Sequence, residues 1–290
     1  MHGRALAHLV SAGAAALLFT DAASSATPAA KTAYVAPRVS LSTYQALTKR
    51  PDWNGVYNFV GGLIFDPATA YEPPDDAPDG GLDFGPRAGS YEKPPLKPEA
   101  QRAYDETVRK MKDQGVSSDD VGDCKRPHGF PRIMGGSPGP IEIFMLPDQV
   151  RITIDWFNET RRIYTDGRPH PTGDDLSPTY FGHSIGHWEG DTLVVDTVST
   201  YGGQYDQTGV PYSDQVHVTE RITMVQAGVL EDVLTITDPV YLSRPWVVRR
   251  KMGRMPANPK MNIGSYCEVN RVQVVNGAQV MQIPQHGDGK

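Results

Sequence analysis

The chain has 290 residues and a formal net charge of −6, with 39% hydrophobic and 21% charged positions. That balance supports a buried core and excludes an intrinsically disordered chain, and it leaves no basic footprint for nucleic acid or anionic lipid. Its 29 glycines and 25 prolines make up about 19% of the chain against roughly 12% in average usage, which excludes a helical bundle or a long coiled coil because both residues break helix interiors.

Residues 1–26 carry a basic start at Arg4, an apolar run from Leu9 to Phe19 and a small-residue segment ending at Ala26. This is the pattern of a cleaved secretory signal peptide, with an apolar run too short to span a bilayer. The expectation is therefore an exported protein, periplasmic or secreted, with no membrane association after cleavage. An oxidising compartment permits a disulfide between Cys124 and Cys267, the only two cysteines. Neither has a second cysteine at the short spacing that a zinc site uses, so a metal site on them is not expected.

After the signal, residues 27–140 are expected to wrap a barrel built from 141–280, the two forming one domain. A first strand is expected over 53–60, where Trp53-Asn54-Gly55 resembles, in reversed order, the Gly-x-Trp opening of lipocalin-like barrels. Eight prolines between Asp66 and Pro98 predict an extended arm without regular backbone pairing. One helix follows over 97–114, with Pro98 near its start, Glu99 early, Lys110 and Lys112 late, and Gly115 to stop it. Ala100, Tyr104, Val108 and Met111 share one face, so this helix is expected to dock.

From Ile141 onward the apolar period is two. Val150, Ile152, Ile154 and Trp156 alternate with polar residues, Glu189-Gly190-Asp191 reads as a hairpin turn, and 216–225 with 229–237 forms a second hairpin across Gly228. Arg271–Val275 is expected to close the structure. The fold expected is mainly β: an antiparallel, lipocalin-like (calycin-type) barrel, whose closure would remove exposed edges and leave a mouth for a small ligand. An open sandwich is the competing architecture.

Three clusters carry candidate chemistry. The first, Phe181 to Thr197, contains Gly182-His183-Ser184-Ile185-Gly186, a literal Gly-x-Ser-x-Gly. A nucleophile elbow needs a helix after the serine, and here another strand follows, so Ser184 reads as a strand residue rather than a nucleophile. In a strand, His183 and His187 would lie about 13 Å apart, at roughly 3.3 Å per residue, too far to share a metal. A zinc site would need His183 to meet His217, Glu220 or Asp196 from neighbouring strands. In the second cluster, Glu220 falls on a face otherwise made of Val216, Val218, Ile222 and Met224. A carboxylate there is a general acid or base if desolvated, or the partner of an arginine from another strand if structural. The third, Arg161 to His170, holds the Asp166-Gly167 turn signal and Arg168, a candidate anion contact.

The segments Arg162–Arg168, Gly182–Thr197, Glu220-Arg221, Asp238-Pro239 and Pro245-Trp246 together resemble a family of exported, largely uncharacterised bacterial proteins. Cys124 ahead of Pro127-His128-Gly129-Phe130-Pro131, and Tyr266-Cys267-Glu268, fit the same pattern. The resemblance spans roughly 50–270 and implies no particular reaction. His187 stands where many members carry arginine, which favours His183 as the functional histidine.

The expected function is an exported enzyme, a lyase or isomerase before a hydrolase, acting without a cofactor on a small, partly apolar or aromatic compound in a barrel pocket. His183 and Glu220 form the expected acid–base pair, Asp196 or His217 orients the histidine, and Arg168, Tyr241, Trp246 and Trp188 contact substrate. The alternatives are a non-catalytic periplasmic binding protein for a small molecule and a divalent-metal enzyme with His183, His217 and Glu220 as ligands.

Overall fold

The computed structural model describes residues 34–60, 93–114, 127–136, 140–155, 159–205, 209–256, 272–275 and 278–281. Contacts divide the chain into Met1–Val35 and Ala36–Lys290, and the account below concerns the second unit. The expected signal peptide, the Pro-rich arm over most of its length, Trp156 and both cysteines lie outside the described residues.

Nine strands close into one barrel. They are β1 (Gly55–Val60), β2 (Ile141–Met145), β3 (Gln149–Ile154), β4 (Thr160–Tyr164), β5 (His183–Glu189), β6 (Thr192–Val198), β9 (His217–Gln226), β10 (Val229–Thr237) and β11 (Trp246–Arg254). Around the barrel they run β1-β11-β10-β9-β6-β5-β4-β3-β2. Two short pairs stand apart from it: β7 (Gly203–Gln204) with β8 (Pro211–Tyr212), and β12 (Val272–Val275) with β13 (Ala278–Met281). The predicted closing strand is therefore half of a separate hairpin, and β11 closes the barrel by pairing with β1.

The barrel is mixed rather than wholly antiparallel, because β4 and β5 run parallel with Ile163 opposite Ser184. A tight turn can only reverse a strand. The 165–182 connection is long enough to carry the chain back before β5 begins, and it holds a 3-10 turn at Gly173–Asp175. The predicted hairpins at Gly190 and Gly228 form as expected, and both glycines have positive φ.

Three helices rather than one accompany the strands among the described residues: α1 (Leu41–Leu47), α2 (Pro98–Gln114) and α3 (Arg132–Gly136). Helix α2 begins at Pro98 and buries Ala100 and Tyr104, with Val108 packed on the core. Its approach is tied to the 238–246 loop by Lys97 N–H donating to the Tyr241 carbonyl (2.8 Å) and by a Leu96–Leu242 bridge.

Alternation fills the interior. Ile152, Ile154, Ile163, Leu193, Val195, Val218, Ile222, Leu234 and Ile236 all point inward and are buried, each stabilising the fold by about 1.5–3 kcal/mol relative to exposure. Phe130, Ile133 and Met134 from the segment around α3 join this core. Six acidic or arginine side chains among the described residues are buried as well: Arg132, Arg161, Glu220, Asp232, Asp238 and Arg250.

Candidate functional site

Paired residues on neighbouring strands point the same way, so the register of β5, β6 and β9 sorts the candidate residues between two faces. Val195 is paired with Glu220 and Ser184 with Thr197, all buried and inward. Asp196 is paired with Ile185 on one side and Thr219 on the other, and these point outward. His183 and His217 lie two residues before Ile185 and Thr219, so they share that outer face.

Inside the barrel, the Arg161 guanidinium reaches Glu220 through two contacts, 2.8 Å to Oε1 and 2.5 Å to Oε2. Arg161 also donates to Thr197 Oγ1 (3.0 Å) and to Ser184 Oγ (3.3 and 3.4 Å), and its guanidinium stacks 3.6 Å over the Phe130 ring. Both charged groups are 0% exposed. Nearby, burial first and the Glu220 charge second push the Asp232 carboxyl well above the ordinary carboxylate range. Asp232 therefore favours its protonated, neutral form.

On the outside, four side chains form one hydrogen-bonded chain. Asp196 Oδ1 meets His217 Nε2 at 2.5 Å, and Asp196 Oδ2 meets His170 Nε2 at 2.9 Å. His170 Nδ1 then meets His183 Nδ1 at 2.8 Å. His170 arrives from the long β4–β5 connection between Pro169 and Pro171, whose rings restrict the backbone around it to extended conformations. Tyr164 stacks on His183 (5.5 Å, 27° between planes), and His170 meets the same ring edge-on at 4.9 Å.

The donors follow from chemistry. A carboxylate only accepts, so both Nε2 atoms facing Asp196 carry hydrogens. Neutral His170 then has a lone pair on Nδ1, which requires His183 to donate from its own Nδ1. The chain thus presents a lone pair at each end, on His183 Nε2 and on His217 Nδ1, and neither atom has a hydrogen-bond partner among the described residues. Burial first, then the neighbouring His170 and Arg168, lower the pKa of His183 from its ordinary value and favour its neutral imidazole form.

A depression of about 410 Å³ lies on the same face, with Asp196 among its lining residues. Ile185 and Val194 supply apolar walls, with Arg168, His187 and Thr219 around them. The Arg168 guanidinium is held by both Asp166 oxygens (2.6–3.1 Å) and stacks on Tyr164 at 3.8 Å. Its charge is compensated, which weakens its expected role of steering an anion.

The expected residues divide accordingly. His183, Asp196 and His217 come together. Glu220 does not join them: it faces inward, sealed against Arg161, on the opposite side of the wall from His183, so that acid–base pair is not formed. For the same reason His183, His217 and Glu220 cannot converge on one metal, and no group of three or more His, Cys, Asp or Glu among the described residues is arranged to hold one. Ser184 is a buried strand residue, as the missing helix implies. His187 is exposed and bonds Glu189 at 3.3 Å.

The substrate-contacting aromatics are corrected too. Trp246 is 0% exposed and packs edge-on against Tyr205 (5.2 Å), so it caps the core rather than lining a mouth. Tyr241 belongs to the loop that receives α2. Trp188 projects inward near Trp53 (4.9 Å), beneath Arg50 at 4.5 Å, away from the outer depression. The residues that sequence reasoning passed over are His170, whose signal was the flanking Pro169 and Pro171, and Arg161, whose alternation with Ile163 places it on the inner face.

No protein-family model matches the chain. Comparison with curated proteins finds no match either.

Proposed function

We propose that the protein is an exported enzyme, a lyase or isomerase, that performs general acid–base chemistry on a small, partly apolar compound held in the outer-face depression. The observation that carries this reading is the hydrogen-bonded chain His183–His170–Asp196–His217, whose Asp196 also lines that depression. His183 Nε2 is the base: it takes a proton from the substrate, and the resulting imidazolium is stabilised through His170 by the Asp196 carboxylate. A carboxylate that fixes a histidine's tautomer and stabilises its charged form is a recurring catalytic device. His217, bonded directly to Asp196, is the second proton-exchanging group. Ile185 and Val194 provide the apolar contact.

Export rests on the basic, apolar and small-residue order of the first 26 positions and on the resemblance to exported bacterial proteins. A Cys124–Cys267 bridge belongs to the same proposal, and thiol labelling of the unreduced chain tests it. A periplasmic binding protein without turnover would have its ionisable groups neutralised in structural pairs. Glu220 fits that description, whereas the unbonded Nε2 of His183 does not.

The test is a screen of small carbonyl, carboxylate and aromatic compounds for turnover, and for hydrogen exchange in deuterated water, comparing wild type with His183→Ala and Asp196→Asn. General acid–base groups contribute about 10²–10⁴-fold, so both variants are expected to lose at least that much kcat/KM. Turnover that survives in His183→Ala at wild-type rates overturns the assignment.

A further inference from the structure

We propose that Arg161, buried inside the barrel, is a positioning residue for the outer-face chain: one guanidinium clasps the backs of the three strands whose fronts carry the site. The inference rests on the acid–base reading of that chain and names what holds it in register.

The geometry is that of opposite faces of single residues' neighbours. Ser184, bonded to Arg161, directly follows His183 on β5. Thr197, bonded at 3.0 Å, directly follows Asp196 on β6. Glu220, held at both oxygens, directly follows Thr219 on β9. Ser184 and Thr197 are also bonded to each other at 2.9 Å. Arg161 itself lies on β4, the strand that leads through Tyr164 into the connection bearing His170. Each of the four chain members therefore sits on, or is delivered by, a strand that Arg161 touches.

Arginine suits this task because its planar fork presents five donors in fixed directions. Lysine carries its three donors on one nitrogen and lacks the fork that meets both Glu220 oxygens while reaching Thr197 and Ser184. Phe130 covers the face of the guanidinium, so its position is set from three directions and from above. The consequence is that small shifts between β5, β6 and β9 are resisted from inside. Such shifts would lengthen the His170–Asp196 and His170–His183 bonds without unfolding anything, and a misplacement of about 1 Å is enough to lower a rate about 100-fold.

The experiment is nitrogen and proton NMR of the histidine rings in the full mature chain, for wild type, Arg161→Lys, the double variant Arg161→Leu with Glu220→Leu, and Thr197→Val. Wild type is expected to show His170 and His217 as Nε2–H tautomers, His183 as the Nδ1–H tautomer, and exchange-protected ring protons at the two His170 bonds. The double variant removes the buried pair as a unit, which barrels and other cores tolerate. It is expected to stay folded yet lose the protected protons and mix the tautomers. Arg161→Lys is expected not to restore them, and Thr197→Val, which removes one hydroxyl contact and keeps the Arg161–Glu220 pair, to weaken them partially. On a turnover substrate, kcat of the double variant falls about 100-fold with KM unchanged. If the wild-type pattern is present and survives in the folded double variant or in Thr197→Val, Arg161 has no positioning role. If wild type lacks the pattern, the acid–base reading itself fails.

Discussion

The inner and outer faces of β5, β6 and β9 are made of alternating residues of the same three strands, yet they treat charge in opposite ways. On the inner face Glu220 and Arg161 are fully buried and mutually satisfied. On the outer face Asp196 is shared between two imidazoles, and the chain ends in open lone pairs. One residue of register separates a group that can only hold the wall together from one that can exchange protons with a ligand. What distinguishes them is not residue type but whether every polar atom is already spoken for.

The sharpest way to break the comparison is to remove one half of the inner pair. Arg161→Met leaves Glu220 buried without a cation, a change that costs about 3–5 kcal/mol. Chemical denaturation should show that loss, whereas Arg161→Leu combined with Glu220→Leu should come back to within about 1 kcal/mol of wild type or exceed it. A single variant that unfolds no more easily than wild type would mean that the inner pair is not the sealed unit described here.

Gly182 joins the two faces and provides the next test. It precedes His183, has φ +65°, and a Cβ placed on it would stand 2.5 Å from the Val198 carbonyl oxygen. Gly182→Ala incurs about 1–2 kcal/mol from the left-handed backbone alone, and the backbone contact adds to this. Because Val198 is paired with His183, the variant is also expected to disturb the His183–His170 bond. A denaturation midpoint equal to wild type would show that the β5 entry relaxes freely.

Much of this architecture was legible in the strand half of the sequence. The period of two from Val150 to Ile154, the turns at Gly190 and Gly228, and the Pro98 start of α2 are local signals, and each reappears in the fold. The failures are non-local. Nothing near Glu220 in sequence says that its partner is Arg161, 59 positions away, and the apolar face that made Glu220 conspicuous is the same face that buries the arginine. The parallel β4–β5 pair was hidden because a connection reads the same whether the next strand runs back or alongside. His170 was hidden for a related reason: only that connection, folded over the barrel, brings it to Asp196. His183, Asp196 and His217 were recoverable because alternation alone places them on the fronts of adjacent strands.

Asp232 offers a smaller, pH-dependent contrast within the inner face. Its folded pKa is raised, so the stability it contributes is present below the unfolded value near 3.8 and is lost as pH rises toward the folded value. Asp232→Asn removes the titration. Its stability relative to wild type should therefore improve steadily as pH is raised from about 4, as followed by denaturation midpoints. A flat difference across that range would place an ionised Asp232 in the wall.

His183 supplies the mirror image on the outer face and the smallest expected effect. Its folded pKa is depressed below 6.5 by burial and by the neighbouring His170 and Arg168. The unfolded chain therefore binds a proton that the folded chain refuses, over the window from 6.5 down to the folded value, and stability falls as pH falls through that window. The ring is only partly withdrawn from solvent, and screening keeps the slope shallow. Replacing it with glutamine removes the titration, so the wild-type advantage over His183→Gln should shrink as pH drops from about 8 to about 5. The same titration governs chemistry, since only the neutral ring can accept a proton at Nε2. On any turnover substrate the acid limb of kcat/KM must fall below 6.5 in wild type. An acid limb above 6.5 would mean that His183 is held in its charged form, and the base would then have to be His217, the other end of the chain.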